Sequence, residues 1–202
     1  SLVGLEIYRT PTEGRIYVVG GDPAEGNPTS DDSALTVMDV MSGEEVAAIS
    51  GKFQPSVLAG YADQIGRYYN NAGLMIERNN HGHSVLLWLE EHSSLRILPG
   101  HDERGGWLSS KLGKALLYND LADCFRDKDT TLHSFDTYTQ LASIEGATLR
   151  APDGEHDDRS DSYALAHAGR AAMLINTSAM KQAAIVGRPT TPDLRRAVRR
   201  AS

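Results

Sequence analysis

The sequence holds one cysteine in 202 residues, Cys124, which excludes an intramolecular disulfide and any cysteine-rich zinc site. That usage suits a reducing compartment. No stretch approaches the roughly 20 apolar residues of a membrane span, and Ser1 to Arg9 lacks the charged start and apolar run of a secretory leader. A soluble, cytoplasmic protein is expected. Positive charge is in deficit, with 20 Lys and Arg against 27 Asp and Glu and a net charge of −7, so the total implies no general polyanion-binding surface. Any contact with nucleic acid must be local. Internal repeats and low-complexity tracts are also missing. What is present, 40% hydrophobic and 23% charged residues over this length, is the composition of one soluble domain with a real core.

The apolar, β-branched run Arg15 to Asp22 ends in Gly-Gly-Asp-Pro and reads as a buried strand closed by a turn. After a polar loop, Ala34 to Val40 and Glu45 to Ser50 read as two more strands, joined through Met41-Ser42-Gly43. Three consecutive antiparallel strands result. Pro55 fits a first helical turn, and Val57, Leu58, Tyr61, Ile65 and Tyr68 carry helical spacing as far as the stop at Asn70 to Gly73. From there the pattern alternates. Leu74 to Glu77 is a short strand, Asn79 to Gly82 opens a helix, Leu95 to Leu98 is a further extended piece, and Ser109 to Phe125 is helical again. Thr137 to Ile144 is too short to assign, Ala147 to Gly154 suggests an edge strand and turn, and an Ala-rich helix starts at Asp157. The segment from Asn176, with two prolines and four arginines near its end, reads as a flexible tail.

Carboxylates stand where regular elements begin or end: Asp22 after the first strand, Glu77 after the fourth, and Asp157, Asp158 and Asp161 at the start of the late helix. Three antiparallel strands followed by strand and helix units bring the first and fourth strands side by side in a ribonuclease H-like arrangement. Asp22 and Glu77 would then face each other. Clustered carboxylates repel and raise each other's pKa unless a cation neutralises them, so such a group makes sense as a hard-metal site. Two divalent ions there can hydrolyse a phosphodiester by in-line displacement.

The strings Gly21-Asp22-Pro23-Ala24-Glu25-Gly26 with Asp32-Ser33-Ala34, then Ile76-Glu77-Arg78-Asn79-Asn80-His81-Gly82, then His156-Asp157-Asp158-Arg159-Ser160-Asp161-Ser162-Tyr163-Ala164-Leu165-Ala166, resemble in order and spacing the nuclease domain of tailed-phage large terminase subunits. The resemblance covers about Ile16 to Ala172. It implies an α/β fold with a ribonuclease H-like mixed central sheet flanked by helices, and a metal-dependent endonuclease that cuts double-stranded concatemeric DNA during genome packaging. By the same resemblance Asp22, Glu77 and Asp158 match the acidic triad that holds two Mg²⁺ or Mn²⁺ ions. Asp157 and Asp161 are further metal candidates, the latter one helical turn beyond Asp158. The implied partners are double-stranded DNA, the ATPase domain of the same subunit, the portal and the small terminase subunit, in the host cytoplasm and with no membrane. No Gly-x-x-x-x-Gly-Lys-Ser/Thr string occurs, so residues 1–175 are expected to be the nuclease domain, 176–202 a tail, and the motor absent from this chain.

Other readings stay open. A Holliday-junction resolvase or ribonuclease H shares the carboxylate logic, and a non-catalytic docking module of the packaging motor would share the fold. Gly20-Gly21-Asp22 could also belong to an actin-like ATPase, although no second Gly-rich phosphate loop accompanies it. An Asp before Pro is a common turn former, and one of Asp157 and Asp158 is expected to cap the helix. His81 and His83 form a His-x-His pair without a matching Cys or a nearby third His, which favours a structural or substrate-adjacent role. His156 could orient the paired aspartates or contact phosphate, or simply pack at the helix start. Arg78, Arg104, Lys111 and Lys114 are the candidate DNA contacts, and Trp88 and Trp107 read as core.

Overall fold

The computed structural model describes the backbone of residues 2–186 and side chains through residue 175. Its elements in chain order are β1 (Glu6–Ile7), β2 (Tyr17–Asp22), β3 (Ser33–Asp39), β4 (Glu45–Gly51), α1 (Pro55–Tyr68), β5 (Gly73–Arg78), α2 (Asn80–His92), β6 (Trp107–Leu108), α3 (Lys111–Arg126), α4 (Phe135–Ser143) and α5 (Asp158–Val186). The strands form one open, mixed sheet in the order β1-β4-β3-β2-β5-β6. β1 to β4 pair antiparallel in the order β1-β4-β3-β2, whereas β5 runs parallel to β2 and β6 parallel to β5. The expected sheet of three antiparallel strands followed by parallel ones is formed.

Side chains alternate across this sheet because the strand period is two. Tyr17, Val19, Leu74 and Ile76 enter a core shared with α1 and α2. Val18 and Met75 enter the other core, which also takes Leu117 and Leu121 of α3 and Tyr163 to Ala166 of α5. Continuing the alternation, Gly20 and Asp22 on β2 and Glu77 on β5 fall on the α3 and α5 side. The parallel register Gly21 to Ile76 then makes Asp22 and Glu77 neighbours one step further along.

Helix α5 lies unusually close to the sheet because it crosses β2 over a glycine. A Cβ on Gly20 would stand 2.2 Å from the Ala166 amide nitrogen and 2.3 Å from the Ser162 carbonyl oxygen. Buried Ser162 and Thr36 exchange a hydroxyl hydrogen bond of 2.9 Å beside this crossing. The contact fixes the height at which the first turn of α5 meets the end of β2.

Several local expectations change. The two-residue strand β1, too short for any periodicity, pairs with β4 and extends the sheet edge. Leu95 to Leu98 does not form a strand of its own, since Pro99 follows immediately. It flanks the lower half of β5 through bonds from Leu74 N to Arg96 O and from Leu98 N to Leu74 O, both 2.8 Å. Residues 135–143 are helical, capped by the Ser134 hydroxyl, which accepts from Thr137 N at 3.1 Å. The edge strand expected over Ala147 to Gly154 is a tight turn instead. Leu149 adopts a left-handed φ of 55° and its N–H bonds Glu145 O at 2.8 Å, a geometry that strands cannot contain. Helix α5 runs on to Val186, so helical backbone continues past the boundary expected at 175, and residues 187–202 of the expected tail lie outside the described residues.

Candidate metal centre

The end of β2, the end of β5 and the first turn of α5 meet at one cleft of about 500 Å³. Asp22, Glu77, Asp157, Asp158 and Asp161 all line it, joined by Asp31, Asn79, His81, Ser109, Lys114 and Arg150. Residues separated along the chain by half its length therefore converge. Of the other candidates, His83 is exposed, and Arg78 turns away to an ion pair with Asp102. His156 sits at the surface with its ring nitrogen 3.7 Å from Asp158. Trp107 is buried core and Trp88 packs against the other core.

Each acid has a different environment. Burial first, then the neighbouring Glu77 and Asp161 carboxylates, push the Asp22 pKa well above the usual carboxylate range. Burial, reinforced by Asp31 and opposed by His156, raises Asp158 to about 7. Its Oδ2 is buried and has no hydrogen-bond partner, in a residue only 4% exposed. A buried carboxylate oxygen left unpaired carries its full desolvation penalty.

Burial also raises Asp161 to about 6, although Lys114 and Tyr118 oppose the shift. The Lys114 ammonium donates to Asp161 Oδ2 at 2.8 Å and the Tyr118 hydroxyl to Asp161 Oδ1 at 2.6 Å. Lys114 also lies 3.6 Å from Asp157 Oδ2. Burial disfavours the ammonium, but Asp161, Asp157 and Asp22 outweigh that and hold its pKa above the usual value.

Helix capping does not account for the acid pair. The first free amides of α5, those of Arg159 and Ser160, bond the Gln140 side-chain oxygen at 2.8 and 3.3 Å. Asp157 instead accepts from Ala151 N at 3.3 Å. Both aspartates are thus free to face the cleft. Among the described residues, no group of three or more His, Cys, Asp or Glu is arranged to hold an ion as it stands. Part of the set is instead engaged by an ammonium, that of Lys114, which pairs with Asp161 and Asp157.

Asn79 ties the site together. Its side-chain oxygen accepts from Gly82 N at 2.7 Å and caps α2, while its amide donates to Glu77 Oε2 at 2.5 Å and to Pro23 O at 3.3 Å. One side chain so links the residue after Asp22, the Glu77 carboxylate and a helix start. Gly82 is required by the same turn, since a Cβ there would sit 1.8 Å from Glu77 O. Sequence reasoning placed Asn79 at the opening of a helix and gave it no part in the site, although its cap of α2 fits that opening. Tyr118 was also missed; its place four residues after Lys114 puts both on one face of α3. Nothing in the sequence singles out Arg150 or Asp31 as cleft residues.

No known family profile matches the sequence, and no curated protein matches it. Solved structures do. The large terminase nuclease from thermophilic phage G20c with bound cobalt superposes with a TM-score of 0.69 at 18% identity, over 83% of this chain and 88% of that one. The same nuclease with bound magnesium gives 0.68 at 16% identity and the same coverage. The nuclease domain of the Thermus phage P74-26 large terminase gives 0.64 at 16% identity, over 82% of this chain and 85% of that one.

The chain has the fold of a large terminase nuclease domain.

This ribonuclease H-like architecture agrees with the sheet order, and the G20c nuclease has also been crystallised with zinc. No helix among the described residues is long and apolar enough to cross a membrane.

Proposed function

We propose that this terminase-like domain is a metal-dependent endonuclease that cleaves double-stranded concatemeric viral DNA during genome packaging, using two Mg²⁺ or Mn²⁺ ions. The observation that carries this reading is the convergence of Asp22, Glu77 and Asp158 from three separate elements on one cleft, with a buried oxygen of Asp158 that has no hydrogen-bond partner. These residues fit a hard divalent cation. The donors are carboxylate oxygens, and burial raises the proton affinities of Asp22, Asp158 and Asp161, a cost that a bound cation relieves. Asp22, Glu77 and Asp158 would hold the ions, assisted by Asp157 or Asp161. When bound, divalent ions of this kind lower the pKa of water and stabilise a departing oxyanion.

The chain's own part is to position and to select. Asn79 orients Glu77, the Gly20 crossing sets the height of α5, and the buried floor keeps the acids from being solvated individually. Ser109 and Arg150 line the cleft, and Lys111 lies with Arg150 and Lys114 along an adjoining groove, where they can steer a phosphate backbone inward. With a net charge of −7, DNA affinity is weak and falls steeply with salt. The ATPase domain, portal and small subunit would supply the remaining grip in the host cytoplasm.

The test is a cleavage comparison in Mn²⁺ on linear duplex, a four-way junction and an RNA–DNA hybrid. Duplex cutting that chelation abolishes is expected. Cutting confined to the junction or the hybrid would reassign the substrate, and no cutting of any of the three would refute the nuclease reading.

Asn79 offers a finer check. Asn79→Ser keeps a cap for α2 but loses the amide's bonds to Glu77 and Pro23, so stability should fall by about 1–2 kcal/mol. Mn²⁺ affinity, measured by calorimetry, should fall roughly 10–100-fold, the usual effect of removing a group that orients a ligand. Unchanged affinity would show that Glu77 needs no such support.

A further inference from the structure

The acids of the cleft are neutralised unevenly. On one side Asp22, Glu77 and Asp158 line the cleft together, and Asp158 Oδ2 has no hydrogen-bond partner although the residue is only 4% exposed, with the His156 ring nitrogen 3.7 Å away. On the other side, Asp157 and Asp161 already have a cation: Lys114 Nζ, 2.8 Å from one and 3.6 Å from the other. That side chain is itself only 19% exposed. Its anchoring is firm. The Ser110 hydroxyl caps α3 by accepting from Gly113 N at 3.0 Å, and a Cβ at Gly113 would meet Leu108 O at 2.2 Å. The first turn of α3 is thus pressed onto the end of β6, whose Trp107 pairs with Glu77 in the sheet. Lys114 enters the acid cluster from a fixed base and not from a mobile loop.

We propose that Lys114 is a tethered cation occupying one of the two ion positions, so that the Asp22, Glu77 and Asp158 side takes the first divalent ion and the Asp157 and Asp161 side takes a second only by displacing the ammonium. The proposal rests on the metal-dependent reading above and adds to it an order and a gate. An ammonium within hydrogen-bond distance of a carboxylate occupies the electrostatic place of a metal, and two cations cannot share it. The hydroxyl of Tyr118, which donates to the opposite oxygen of Asp161, holds that carboxylate in place whichever cation faces it. Ion occupancy therefore depends on what draws Lys114 away. A phosphodiester entering the cleft supplies a competing anion for the ammonium, which couples the second ion to bound substrate.

The test is calorimetric titration of the wild-type chain, Lys114→Met and Lys114→Arg with MnCl₂ at neutral pH. Wild type should bind a first ion and a second at least about tenfold more weakly, whereas Lys114→Met should bind two with similar affinity. Lys114→Arg, which keeps the charge, should retain the wild-type pattern. The rise in melting temperature on adding Mn²⁺ should be larger in Lys114→Met, whose metal-free acids have lost their counter-charge. Lys114→Gln, which preserves a hydrogen bond to Asp161 without charge, should behave as Lys114→Met does and covers the case in which methionine disturbs folding. Two equal ions in the wild type, or the same affinity ratio in all variants, would overturn the proposal and leave the metal-dependent reading intact. Absence of Mn²⁺ binding in every protein would overturn both.

Discussion

Asp158→Asn should lower Mn²⁺-supported DNA cleavage by roughly 10²–10³-fold while making the metal-free domain more stable at pH 8. The first effect follows from losing several kcal/mol of charge stabilisation at about 1.4 kcal/mol per factor of ten. The second follows from the site's electrostatics. Burial first, then the charge of Asp31, raises the Asp158 pKa from the usual 3.8 to about 7. A carboxyl that holds its proton more tightly in the folded state favours folding at acid pH. That advantage disappears as pH climbs from about 4 through about 7, because the folded chain must then ionise a buried group that the unfolded chain ionises freely. Asparagine carries no charge and escapes this loss, so the variant should gain about 1–3 kcal/mol relative to wild type at pH 8 and little at pH 4. Urea denaturation at both pH values in a chelator measures it. Added Mn²⁺ should then stabilise wild type markedly more than the variant. Were Asp158 only a buried helix-start residue, the pH-dependent stability change would remain, since it follows from burial, and cleavage would survive.

Gly20→Val should unfold the domain or lower its stability by about 3 kcal/mol or more, the upper end of the overpacking range, because the obstacle is backbone. The added Cβ would lie 2.2 Å from Ala166 N and 2.3 Å from Ser162 O, neither of which can rotate aside. The remaining escape is for α5 to lift, which would carry Asp158 and Asp161 away from Asp22 and Glu77. Thermal unfolding and Mn²⁺ titration of the same preparation test both consequences. A variant that melts like wild type and still binds Mn²⁺ with wild-type affinity would show that the close crossing is dispensable. A matched control is Gly60→Ala on α1, where a Cβ would meet nothing within 4 Å and helix propensity predicts neutrality or a slight gain.

Much of this was legible in the chain. Strands with period-two or fully apolar patterns, β2, β3, β4 and β5, were read with ends shifted by a few residues, because burial on both faces leaves a strong signal. Helix α1 was read from Pro55 to its Asn-rich stop, where Asn70 and Asn71 adopt φ of 55° and 58°. The elements that escaped were those whose local sequence carries too little information. β1 has two residues and exists only because β4 offers an open edge. The 145–150 turn depends on a left-handed leucine that no propensity favours, and α4 depends on packing against α5.

The same division runs through the site. Chain order and residue type determined that acids would stand at the ends of β2 and β5 and at the start of α5, and the alternation of side chains along a strand determined that Asp22 and Glu77 would share a face. What only the folded molecule decided was their company: Asn79 clasping Glu77, Gln140 relieving the aspartates of capping duty, and Lys114 seated between Asp157 and Asp161. Those choices depend on distances between segments remote in sequence, set by how closely α5 and α3 settle on the sheet. Periodicity and composition report the environment of each residue along its own element, whereas charge compensation in a buried cleft is a property of all the elements that meet there.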